Sequence, residues 1–331
     1  MRGWNLDALV AVLSLVMMFG VALDFRVHAQ GISFEEEGFF TPEHVFFYTT
    51  FLCIATVIGA AVFVNRRATG SWKSAIPSGY AVGLAGVALF GLGGVGDFFW
   101  HTAFGFEEGI EALTSPTHLL LATGAVMFFS SPLRSALRRK DGFSGFGITP
   151  VLISMSLVLT IIVFFTLYIN PTISTVGFHQ TENPLGIVSL FVFPAILLGG
   201  ALVLVSRFEL PIGALAFTFA VPALMGAVIN DLFFLAVPAV AAGLAGDLIN
   251  RYYLKDSDSV VPLRVFGAVV PATFVVFYLT VVEVVWGMVW TIHVWGGAIF
   301  LAAAAGLLLT YVVVPDGRTE TGTGTAVRTQ G

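Results

Sequence analysis

The chain has 331 residues, 57% of them hydrophobic and only 11% charged, with a formal net charge of −5. A water-soluble domain carries about 25% charged residues, so this composition excludes water as the main solvent and points to lipid; it also offers no basic face for nucleic acid. Cys53 is the single cysteine, which excludes an internal disulfide or a thiolate cluster and leaves nitrogen and oxygen to hold any metal.

The apolar stretches repeatedly reach the roughly 20 residues that a bilayer crossing demands. In lipid only helices or closed barrels satisfy every backbone polar group. The runs are unbroken and lack the short alternating pattern of barrel strands. The expected fold is therefore all-α, a polytopic transmembrane bundle of about ten spans. In chain order these are 7–28, 44–64, 77–101, 117–133, 148–169, 184–206, 211–229, 232–250, 261–283 and 288–314. Pro222 and Pro238 interrupt the seventh and eighth, which are joined by the short turn at Asn230 and Asp231. Residues 8–23 followed by Val27-His28-Ala29 have the layout of a signal peptide. Asp24 and His28 take part in the repeat described below, which favours reading the segment as a retained span.

Positive charge sets the orientation. Arg2, Arg66, Arg67, Lys73, Arg134, Arg138, Arg139, Lys140, Arg207, Arg251, Lys255, Arg264, Arg318 and Arg328 all fall on one side, with Arg26 alone on the other. The first side is then cytoplasmic and holds both termini of a multi-pass cell-membrane protein. Residues 1–315 read as one transmembrane domain, in which a polar, glycine-rich link separates a first part, 1–140, from a six-helix part, 147–315. The tail, 316–331, is rich in threonine and glycine and reads as disordered.

Two outer-facing segments share one order of residues. The first runs Asp24-Phe25-Arg26-Val27-His28, then Phe34-Glu35-Glu36-Glu37, then Thr41-Pro42-Glu43-His44. The second runs Asp97-Phe98-Phe99-Trp100-His101, then Phe106-Glu107-Glu108, then Ser115-Pro116-Thr117-His118. Each closes one hairpin, which suggests a duplicated helical hairpin. Residues i and i+4 share a helix face, so Asp24 with His28 and Asp97 with His101 each form a two-toothed ligand set. Thr41 or Ser115 suits the N-cap and the following proline the first helical position. That places His44 and His118 in the first turn of the returning helix, pointing back. One carboxylate and two imidazoles per hairpin suit zinc, iron or copper rather than calcium or magnesium. Glu35, Glu36, Glu107, Glu108 and Glu111 are available as further ligands or as partners for imidazole N–H groups.

All six histidines, the other two being His179 and His293, fall on the outer side in this topology. Glu283 with His293 forms a possible third site, or else a polar clasp between two helices. His179 with Glu182 reads as a polar loop, and Trp286, Trp290 and Trp295 as an interfacial belt. The run Gly91, Gly93, Gly94 and Gly96 lies within an apolar helix and reads as close helix packing. For both hairpins the alternative to metal ligation is a hydrogen-bonded polar network at the helix ends. In the first hairpin Arg26 also offers Asp24 an ordinary ion pair.

The second copy resembles the metal-binding signature of the C subunit of copper membrane monooxygenases, the particulate methane and ammonia monooxygenase family. Asp97, Trp100-His101 and Ser115-Pro116-Thr117-His118 carry the likeness. The first copy has Val27 where the tryptophan would stand. The resemblance implies Asp97, His101 and His118 as ligands and copper as the metal. It further implies oxidation of a small apolar substrate that arrives through the lipid. Two other classes fit the same residues: a transporter or metal-acquisition protein, and a non-catalytic assembly subunit. Companions would be other membrane subunits or a soluble metal-binding partner at the outer face. Paired imidazoles also suit haem, but the adjoining carboxylates favour a bare ion.

Overall fold

The computed structural model describes residues 3–29, 38–105, 107, 109–139, 145–173, 184–254 and 259–313, and all regular structure among them is helical. The principal helices are α1 (Gly3–Ala29), α2 (Pro42–Thr69), α3 (Ala81–Phe104), α4 (Pro116–Phe129) and α5 (Thr149–Phe164). They continue as α6 (Pro184–Arg207), α7 (Ala214–Asn230), α8 (Val237–Ile249), α9 (Val261–Trp286) and α10 (Ile292–Val313). Short helical turns at Trp72–Ala75, Glu111–Thr114 and Ser131–Leu137 join some of them. The predicted tail 316–331, with His179, Glu182, Glu35, Glu36 and Glu108, lies outside the described residues.

Eight segments among the described residues are long and apolar enough to cross a membrane, which makes the fold a helical membrane protein by length and composition. The fifth and seventh predicted spans come out shorter, as apolar helices of 16 and 17 residues. At about 1.5 Å per residue they reach only about 24–26 Å, short of a hydrocarbon core of roughly 30 Å. Of the ten expected spans, eight thus have spanning length among the described residues and two are shorter apolar helices. Twelve of the 16 residues of α5 are buried, so protein rather than lipid surrounds it and its length need not match a bilayer. Beyond it, the Asn170 side chain accepts from the Thr172 backbone N–H at 2.9 Å and hydroxyl at 2.8 Å, fixing a turn.

Two apolar cores meet in the middle of the bundle. Met17, Ile54, Phe90 and Phe128 belong to the first, from α1 to α4; Leu198, Phe266, Phe274 and Ala302 belong to the second. Both α5 and α7 serve each of them: Leu157 and Met225 face the first, Leu159 and Phe219 the second.

Ionisable groups divide between the two ends. Where α1 begins, buried Asp7 accepts from the Tyr80 hydroxyl at 2.7 Å and pairs with Arg139. Arg134 donates there to the Met127 carbonyl and, at 2.7 Å, to the Ser130 hydroxyl. At the same end of the bundle, α7 starts on Gly213, which has no side chain to cap it; Asp247 of α8 supplies the acceptor instead. Its carboxylate accepts from the backbone N–H groups of Gly213, Leu215 and Ala216 at 3.0, 3.0 and 3.1 Å. At the opposite end lie Asp24, His44, Asp97, His101 and His118.

Candidate metal centre

The second hairpin builds its site from local rules. Ser115 is the N-cap of α4, its hydroxyl accepting from the His118 backbone N–H at 3.4 Å, with Pro116 following. His118 is thereby set in the first turn, with its side chain tilted back toward α3. Asp97 and His101, one turn apart on α3, are both buried. His101 Nε2 lies 3.4 Å and His118 Nε2 3.3 Å from Asp97 Oδ1. The three ligand atoms lie within 4.8 Å of one another. Two donors bound at 2.0–2.1 Å to a tetrahedral ion stand roughly 3.3–3.4 Å apart, so the donor set and its spacing fit such an ion.

The surroundings hold each group in place. The Thr117 hydroxyl donates to Asp97 Oδ1 at 2.9 Å and the Tyr48 hydroxyl to Oδ2 at 3.3 Å. His101 Nδ1 is 3.1 Å from Glu107 Oε2 and 3.3 Å from the Gly105 carbonyl, leaving Nε2 directed at Asp97. A carboxylate or carbonyl on the far ring nitrogen is the usual way a metal-ligating histidine is oriented. Small residues let the helices close. A Cβ at Gly124 would meet the Phe90 backbone nitrogen at 2.7 Å, and one at Gly86 the Gly124 carbonyl at 2.7 Å.

The first hairpin repeats the cap and the crossing contact. Thr41 accepts from the His44 backbone N–H at 3.2 Å, Pro42 follows, and His44 Nε2 lies 3.6 Å from Asp24 Oδ1. His44 Nδ1 sits 2.6 Å from the Phe39 carbonyl. His28 falls in the last turn of α1, and its side chain lies outside the described residues. The two sets lie close together. Phe39 packs between them, with its ring centroid 5.0 Å from that of His44 and 5.9 Å from that of His101.

The remaining candidates are placed elsewhere. Glu111 is exposed at the start of a helical turn. Glu283 and His293 are both exposed and no ion pair joins them; among the described residues the group of three ligands is Asp97, His101 and His118. Arg26 pairs with Asp231 at 2.8 Å, although Asp24 is the nearer in sequence. Trp290 is buried in the second core and so departs from the expected interfacial belt. Phe39 and Tyr48 were not among the sequence candidates. Tyr48 had a signal, since it stands one turn beyond His44 on α2; Phe39, in an irregular segment, had none.

Compared with known proteins, the chain matches no family model, no curated protein and no solved structure.

Proposed function

We propose that this chain is an integral membrane metal-binding protein in which Asp97, His101 and His118 hold one transition-metal ion at the outer face. The observation that carries this reading is the single Asp97 oxygen facing two imidazole Nε2 atoms at 3.3 and 3.4 Å. Copper is favoured by the resemblance to the copper monooxygenase C subunit, while zinc and iron suit the same donors. A bound ion would supply Lewis acidity or redox chemistry, as a monooxygenase-like oxidation of a small apolar substrate requires. Glu107 would orient His101, and Asp24 with His44 would belong to a second, neighbouring ligand set.

The wider picture follows from the same reading. The arginine-rich end and both termini are cytoplasmic by the distribution of positive charge. The helices α5 and α7, lengthened by their flanking turns, make up ten crossings. Matching N-caps and matching His–Asp contacts support duplication of one hairpin. Other membrane subunits or a soluble metal-binding partner would meet the outer face. A transport function has less support. In the opposite half Asp7 and Asp247 are committed to Tyr80, Arg139 and the start of α7, which leaves no chain of ionisable groups among the described residues to pass a cation inward.

Elemental analysis of the detergent-purified protein tests the proposal. Metal should co-purify with the unaltered chain and be lost from His101→Ala and His118→Ala. Unchanged metal content in both variants would refute the site. Metal uptake into vesicles would move the case to transport.

A further inference from the structure

We infer that Tyr48 is a positioning residue for this centre, fixing how Asp97 ligates and tying metal affinity to the docking of the first hairpin on the second. The inference rests on the metal reading above and adds a residue that comes from neither α3 nor α4. Within the second hairpin Asp97 is held at one oxygen only, where Thr117 donates to Oδ1 at 2.9 Å. The other oxygen, Oδ2, takes its hydrogen bond from the Tyr48 hydroxyl at 3.3 Å, across the gap between α2 and α3. With Oδ2 engaged, Oδ1 is the oxygen presented to both imidazoles, and the carboxylate binds through one atom. Without Tyr48 the carboxylate is released to rotate and offer both oxygens to the ion.

The approach of Tyr48 is built into the packing. A Cβ at Gly94 would meet Tyr48 Cε1 at 2.8 Å, so this position on α3 must stay bare for the ring to lie there. The ring is wedged against Phe47 at 4.4 Å on one side and Phe39 at 5.9 Å on the other. Phe51 of α2 also packs on Phe90 of α3, with ring centroids 4.5 Å apart. The phenol hydroxyl is a polar link from α2 to the centre.

Tyr48→Phe removes the hydroxyl and keeps the ring. The expected result, read with cobalt(II) as the probe, is affinity weakened about tenfold to a hundredfold, as for loss of other partners of metal ligands. The visible cobalt spectrum should shift at the same time toward higher coordination, a change that any loss of stability in the metal-free protein would not produce. A purely structural role for Tyr48 would not move that spectrum. Gly94→Ala, which displaces the ring with its hydroxyl intact, should weaken binding in the same direction. If Tyr48→Phe binds cobalt with unchanged affinity and spectrum, the inference is overturned while the metal site stands. If the unaltered protein binds neither cobalt nor zinc, both fall together.

Discussion

His118 Nε2 stands 3.3 Å from Asp97 Oδ1, a contact that closes the first turn of α4 onto the last turns of α3. Asp97 does not depend on it for burial, because Thr117 and Tyr48 both donate to the carboxylate. His101 differs: it stands between Asp97 and the partly buried Glu107. His118→Ala should therefore lose the metal and leave the metal-free fold almost unchanged. His101→Ala should lose the metal and also destabilise the metal-free protein by about 1–3 kcal/mol, since Glu107 is left without its partner. Metal content and thermal unfolding in detergent, measured side by side, separate the two effects. Equal unfolding temperatures for the two variants would contradict the distinction.

Binding should weaken in acid. An imidazole must be neutral to ligate, and its ordinary pKa is about 6.5. Where both imidazoles carry a proton, each ion must displace two, so affinity should fall by about two decades per pH unit. Cobalt titrations across this range should show the fall, and His118→Ala should flatten the slope of whatever residual binding remains. A profile that stayed level down to pH 5 would exclude imidazole ligation.

Asp247 illustrates how a buried membrane carboxylate can be structural. Three backbone N–H groups at the start of α7 end on its two oxygens. Asp247→Ala should cost about 1.5–3 kcal/mol, the range for hydrogen bonds to a charged group. Bound metal should be retained, because the site lies at the other end of the bundle. Loss of metal without loss of stability would instead mark Asp247 as part of an ion path.

What the sequence revealed of this site was local. Asp97 and His101 could be read from their spacing on one helix, and His118 from the Ser-Pro pair that caps the next. Tyr48 and Phe39 reach the centre only because α2 packs on α3, and nothing in the order of residues states that packing. The Arg26–Asp231 pair likewise joins segments far apart in sequence, so the nearer Asp24 drew the attention. The short α5 reads like a full span because a helix that is mostly buried is apolar on nearly every face. Hydropathy alone does not tell burial in protein from burial in lipid.

The glycines of the second hairpin carry the last prediction. Gly86 and Gly124 face each other so closely that a methyl on either would press on backbone of the opposite helix, 2.7 Å from the Gly124 carbonyl or from the Phe90 nitrogen. Backbone cannot swing aside as a side chain can, so α3 and α4 must part. Gly124→Ala should destabilise the protein by about 1–3 kcal/mol, the usual range for overpacking. The site feels the same separation, because Asp97 rides on α3 and His118 on α4. Cobalt affinity in Gly124→Ala should therefore drop, although no ligand has been altered. Gly199→Ala, on α6, has nothing within 4 Å of the added carbon and serves as the control; it should leave both stability and affinity unchanged. A Gly124→Ala protein that is less stable yet binds cobalt as tightly as before would mean that the two imidazoles do not share one ion with Asp97.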